Sequence, residues 1–184
     1  MSLVLASGSP RRKELLGMIA PDFEVVVSEV DESAVRAASP SELAGALAHA
    51  KCMAVAALRP DDVVLGCDTV VEQDGEVFGK PAGRADAERM LHRLSGTVHQ
   101  VHTGVCIARG GRVENFTVTS TVEFYPIDED WLQAYLDTAE PYDKAGAYAI
   151  QGGAAVYCRG IRGCYYNIMG LPVSRVARAL KHFL

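Results

Sequence analysis

Asp68 closes the apolar run Val63-Val64-Leu65-Gly66-Cys67, and Thr69 follows it. A carboxylate at the end of a strand covered on both faces is costly to bury unless it is paired, solvated in a cleft or bound to a cation. Its chemical readings are a general base or a ligand for a hard divalent cation; its bland reading is a turn cap shared with Thr69. Asp31-Glu32 offers further oxygen donors, and Mg²⁺ takes one or two carboxylates together with substrate phosphates. Near the amino terminus, Ser7-Gly8-Ser9-Pro10 leads into Arg11-Arg12. A glycine there allows close approach of an anion to free N–H groups at a helix start, and arginine grips phosphate oxygens bidentately. A capped surface helix with solvated charges, or a DNA contact through Ser9-Pro10-Arg11-Arg12, accounts for the same residues. Lys51, Lys80 and Lys144 add cations, each unremarkable alone. Gln151, among small residues, leaves room for a flat group such as a nucleobase edge. Taken together, cations for a polyphosphate and carboxylates for its metal suit cleavage of a phosphoanhydride better than acyl transfer.

Other chemistries lack their patterns. There is no G-x-x-x-x-G-K-[ST] loop, no dinucleotide G-x-G-x-x-G, no HExxH and no G-x-S-x-G elbow. The five cysteines form no C-x-x-C pair, so free core thiols are expected rather than zinc ligands or disulfides.

Elements that would position these residues follow from periodicity. Leu3 to Ala6 reads as a buried strand, Ser9 as an N-cap with Pro10 at the first helical position, and Phe23 to Val27 as a second strand. Ser39-Pro40-Ser41-Glu42 starts a helix running to about Leu58. Val63 to Cys67 is a strand ending at Asp68-Thr69, with Val70-Val71 continuing toward a turn at Asp74-Gly75. Asp86 to Leu94 is helical. Val101 to Ala108 and Val113 to Tyr125 form long antiparallel strands joined at Gly110-Gly111. Asp128 caps a helix to about Leu136, the glycine-rich stretch from Gly146 to Gly163 contains strands, and Pro172 opens a last helix. The class expected is α/β, with a mixed, strongly twisted sheet and flanking helices in two lobes around a cleft.

With 184 residues the chain suits one domain of two lobes. A net charge of −5 argues against a general nucleic-acid binder. No apolar run reaches the roughly 20 residues that span a bilayer, and the first short one precedes arginines, the reverse of a signal peptide. A cytoplasmic protein without membrane or nucleic-acid partners is expected.

The motifs "LASGSPRRKELL", "VSEVDES", "GCDTVV", "GKPAGRADAERML", "LSGTVHQVHTGV", "EPYDKAGAYAIQG" and "YYNIMGLPVSRVARAL", in that order, resemble the Maf family of nucleoside triphosphate pyrophosphatases. The resemblance spans nearly the whole chain. It implies a fold like that of the inosine-triphosphate pyrophosphatases and hydrolysis between the α- and β-phosphates. It also implies a divalent metal cofactor (Mg²⁺, Mn²⁺ or Co²⁺) and a homodimer. By the same resemblance Asp68 matches the proton acceptor and Glu32 a polar residue of the cleft; Glu32 and Asp68 are the expected ligands of the metal. Arg11, Thr69 and Gln151 match positions tied to base choice, and Ser7, Arg12, Lys51 and Lys80 other polar residues of the cleft. The Arg, Thr and Gln combination is similar to the subgroup acting on dTTP and UTP. Alternatives are 7-methyl-GTP as substrate, or a nucleotide-binding regulator of cell division without turnover. Cys67 and Ala149 depart from the family's usual small residue and glycine; Ala149 bears on base preference if a positive φ is required there.

Overall fold

In the computed structural model, which describes residues 1–184, the short apolar run near the amino terminus becomes strand β1 (Leu3–Leu5). Ser9 then caps helix α1 (Pro10–Gly17), its hydroxyl accepting from the Arg12 N–H, with Pro10 in the first turn where no N–H partner is needed. The β-branched stretch after α1 forms only a two-residue strand, β2 (Glu24–Val25), shorter than its composition suggests. It is a sheet edge with both residues exposed, so little burial rewards extending it. Ser39 caps α2 (Pro40–Ala56) through the Glu42 N–H. After it come β3 (Val63–Gln73), β4 (Glu76–Phe78), α3 (Arg84–Leu94), β5 (Val98–Arg109), β6 (Arg112–Phe124) and α4 (Glu129–Leu136). The glycine-rich region folds mostly as 3₁₀ turns with one strand, β7 (Cys158–Arg162), followed by the short α5 (Tyr165–Met169) and α6 (Val173–Leu180).

One mixed sheet runs β2-β1-β3-β5-β6-β7, with β4 attached to β3. β1 lies parallel to β2 and β3, and every other pairing is antiparallel. Both tight hairpins use two consecutive left-handed residues, Asp74-Gly75 (φ 51° and 83°) and Gly110-Gly111 (φ 53° and 84°). That is the turn geometry whose twist matches the flanking strands.

As the apolar pair Val70-Val71 suggests, β3 continues past Asp68 and runs unbroken to Gln73. What changes at Asp68 is the packing. Before it, one face of the sheet is covered by α1 and α6, with Leu15, Leu16, Val176 and Leu180 against Leu5, Leu65 and Ile107. The opposite face is covered by α2, with Ala48, Cys52 and Val55 against Val4, Val64 and Cys106. Beyond Asp68, Val71 joins a separate core built from α3, α4 and the far ends of β5 and β6. Asp68, Thr69 and Val70 belong to none of these cores, and they mark the seam between them.

Helix α2 lies on the sheet backbone to backbone. A Cβ on Gly66 would fall 2.5 Å from the Ala48 carbonyl oxygen, and one on Gly104 only 2.1 Å from that of Ala44. Glycines on the strands and small residues on the helix together permit that approach. In the turn ahead of Gln151, left-handed backbone falls on Gly146 (φ 71°) and Ala147 (φ 59°), not on Ala149. Alanine at 149 is therefore no obstacle to the path of the chain.

Candidate active site

β1 pairs with β3 only over Val63–Leu65, and β4 begins pairing at Val71. Residues Gly66–Val70 thus have no neighbouring strand on that edge. The turn after β1 enters the gap from one side and Gly79-Lys80, after β4, from the other. The result is a cleft of about 960 Å³. Ser7, Arg11, Arg12, Glu32 and Lys51 line it together with Asp68, Thr69, Lys80 and Gln151, so the nine residues that the family resemblance assigns to the site meet there, whereas Asp31 lies outside the lining.

Alternation along β3 sends Asp68 and Thr69 to opposite faces of the sheet. Asp68 faces α2, whose close seat brings Lys51 Nζ to 2.6 Å from Asp68 Oδ1. The same ammonium is 2.9 Å from Glu32 Oε1. The Lys51 and Asp68 side chains are only 12% and 11% exposed, while that of Glu32 is 56% exposed. Two carboxylates therefore share one ammonium and leave a negative charge over. Their oxygens are hard donors that already converge on a cation, so the donor set fits a divalent metal such as Mg²⁺ or Mn²⁺.

Thr69 faces the α1 and α5 side. Arg12 is held there by three donations: Nε to the Gly170 carbonyl at 3.0 Å, Nη1 to Ser7 Oγ at 3.2 Å and Nη2 to Thr69 Oγ1 at 3.0 Å. Such a fork is rigid, and its charge is presented to the cleft in one orientation. Arg11 is half-buried; burial lowers its pKa, opposed by the nearby charges of Asp143 and Glu140. Asp143 itself pairs with Lys144. Burial pushes the Asp143 carboxyl up, but Lys144 and Arg11 outweigh it and the net shift is downward.

Gln151 stands exposed on a loop pinned on both sides of it. The Ala149 N–H donates to Tyr135 Oη at 3.2 Å, and the Gly153 N–H donates to Glu140 Oε1 at 3.0 Å. Tyr135 Oη in turn donates to the same Glu140 oxygen at 2.8 Å. Gly152 fits against that carboxylate, where a Cβ would fall 2.1 Å from Glu140 Oε2. Lys80 is exposed and forms no ion pair with the protein's own carboxylates. Cys67 points away from Asp68 into the α1 and α6 core, and burial pushes its thiol up to about 12, so it is a neutral packing group.

The cleft also includes Ser28, Arg36 and Lys144. Of these, Arg36 carried no sequence signal beyond sharing a polar loop with Glu32. Thr103 is a second omission: it is fully buried beside Thr69 on β5, with Oγ1 to Oγ1 2.9 Å apart. Nothing local marks it, since β5 also carries His99, Gln100 and His102.

The sequence pattern of the Maf-like proteins matches residues 2–183. The chain belongs to the Maf family. Among its Maf relatives, a dTTP/UTP pyrophosphatase from Symbiobacterium thermophilum is 51% identical over 98% of this chain and 93% of its own. A dTTP/UTP pyrophosphatase from Bacillus velezensis is 49% identical over 98% and 96%. Among solved structures, the Staphylococcus aureus Ham1 protein superposes on this Maf chain with a TM-score of 0.58 over the full length of both, at 16% identity. That likeness shows the fold: a mixed sheet with flanking helices.

Proposed function

We propose that this Maf protein hydrolyses nucleoside triphosphates, dTTP and UTP foremost, to the monophosphate and pyrophosphate. The observation that carries the reading is one cleft holding both a carboxylate pair around Lys51 and a separate set of cations, Arg11, Arg12 and Lys80. Relatives named dTTP/UTP pyrophosphatase, matched over 98% of the chain, support the choice of substrate. Glu32 and Asp68 would hold a divalent cation, which when bound neutralises phosphate charge and orients the chain of phosphates. Arg12, fixed by Ser7, Thr69 and Gly170, binds phosphate oxygens in a set direction, and Lys80 closes on them from the other wall. Asp68 Oδ1 is engaged by Lys51, which leaves Oδ2 to accept the proton of the attacking water. Arg11, Thr69 and Gln151 contact the base.

In this proposal the chain is one domain of two lobes with the substrate at the seam, acting as a cytoplasmic homodimer. No helix is long and apolar enough to cross a membrane.

Pyrophosphate release from a panel of dTTP, UTP, CTP and 7-methyl-GTP, with Mg²⁺ or with a chelator, tests this. Release from dTTP and UTP is expected to require the metal. Asp68→Asn is expected to lower kcat by about a hundredfold or more while the chain stays folded. Full activity in that variant, or nucleotide binding without release by the native chain, would overturn the assignment.

A further inference from the structure

Thr69 lines the cleft, and apolar residues such as Ile168 and Met169 line it as well. What Thr69 Oγ1 offers a ligand depends on where its single proton goes. Its neighbour Thr103 is fully buried, and Thr103 Oγ1 lies 2.9 Å from the Asn167 backbone carbonyl. A carbonyl oxygen only accepts, so the proton in that contact must come from Thr103. Without it, two lone pairs would face each other in a site closed to water. With its proton committed, Thr103 Oγ1 can only accept across its 2.9 Å contact with Thr69, and Thr69 must donate. Arg12 Nη2, a pure donor, takes one lone pair of Thr69 Oγ1 at 3.0 Å. One lone pair remains, and it is all that Thr69 presents to the cleft.

We infer that Thr103 is a specificity-determining residue that acts through Thr69: by fixing the chain of donations from Arg12 through Thr69 and Thr103 to the Asn167 carbonyl, it makes Thr69 a hydrogen-bond acceptor and so selects a base with a ring N–H. This inference rests on the pyrimidine triphosphate reading of the cleft. A uracil or thymine ring carries a proton on N3 and satisfies the acceptor. A cytosine ring has a lone pair at N3, which meets the Thr69 lone pair and leaves both atoms unpaired. Thr103 touches no substrate and is a positioning residue. Removal of its hydroxyl frees the Thr69 proton to turn toward the ligand, while the Asn167 carbonyl keeps the Gly170 N–H at 3.0 Å.

The test compares kcat/KM for UTP and CTP in the native chain, in Thr103→Val and in Thr103→Ser. The native chain is expected to favour UTP. In Thr103→Val the UTP/CTP ratio is expected to fall by about tenfold to a hundredfold, largely through improved use of CTP. Thr103→Ser, which keeps the hydroxyl, retains the native ratio. A general loss of packing would lower both substrates together and leave the ratio where it was. Should the valine chain not fold, Thr103→Cys, of similar size and with a poor acceptor, is read the same way. An unchanged ratio in a folded Thr103→Val or Thr103→Cys chain overturns the inference, as does a native chain that uses CTP as well as UTP. A native chain that releases no pyrophosphate from either nucleotide overturns the functional reading itself, which is a different result.

Discussion

Lys51 Nζ and Asp68 Oδ1 stand 2.6 Å apart on elements that meet nearly without side chains between them. The contact is buried on both partners, and the second carboxylate on Lys51, that of Glu32, is largely exposed. Removal of the lysine leaves Asp68 enclosed without a counter-charge. Lys51→Met is expected to cost about 3 kcal/mol of unfolding free energy, read from urea denaturation. The loss should shrink when Mg²⁺ is added, because a divalent cation compensates the same two carboxylates; an equal loss with and without Mg²⁺ would count against Glu32 and Asp68 as its ligands.

The close seat of α2 rests on Gly104, directly opposite Asp68 in the strand pairing. Gly104→Ala drives a methyl into the Ala44 carbonyl and the Gly45 N–H, both backbone and unable to turn aside. The expected cost is about 3 kcal/mol, with a fall in kcat as Lys51 moves off Asp68. Gly160→Ala, where a Cβ meets nothing within 4 Å, serves as the control and should leave both unchanged.

Acid should weaken the fold through His99. This side chain is 1% exposed, hydrogen-bonded through Nε2 to Tyr148 Oη at 2.8 Å, and burial lowers its pKa from near 6.5 to about 4. The unfolded chain binds a proton there at a pH where the folded one does not. Stability from this group is therefore complete above pH 6.5 and declines as pH falls toward 4. The expected loss between pH 7 and pH 5 is about 2 kcal/mol by denaturant unfolding. Burial lowers His102 as well, against the pull of Glu72, so it adds in the same direction. His99→Gln should flatten most of the slope; a slope unchanged in that variant would assign the acid sensitivity elsewhere.

Gln151 is expected to depend on a tyrosine it does not touch. Tyr135→Phe removes the acceptor for the Ala149 N–H and the donor to Glu140, at a cost of about 1–2 kcal/mol. With the loop loosened, KM for UTP should rise severalfold while kcat changes little. A kcat loss of the same size with KM unchanged would mean that the loop positions the phosphates rather than the base.

Much of the site was legible because its chemistry rests on residue types that are costly to bury or conspicuous at a helix start. Asp68 in an apolar run, Arg11-Arg12 after a capping serine, and the separate cations Lys51 and Lys80 all pointed to an anion and its metal. The hairpins were legible because Asp74-Gly75 and Gly110-Gly111 supply the positive φ that their turns require. Asp68 interrupts the apolar run without breaking the strand, because the backbone there remains paired on β5. The glycine-rich region was less legible: it holds one strand, β7, among 3₁₀ turns, since glycine permits such turns as readily as strands.

The sequence by itself determined the class of the fold, the family and the cast of charged groups, because these depend on local pattern and composition. Only the tertiary structure decided which of those groups meet. The gap beside Gly66–Val70 exists because β1 and β4 pair with β3 at different places along its length, and the Lys51–Asp68 contact exists because glycines let a helix settle on the sheet. The direction of the Thr69 proton depends on a threonine, a carbonyl and an arginine drawn from distant parts of the chain. A hydrogen-bond chain of that kind has no local pattern and arises only once the strands and α5 are packed.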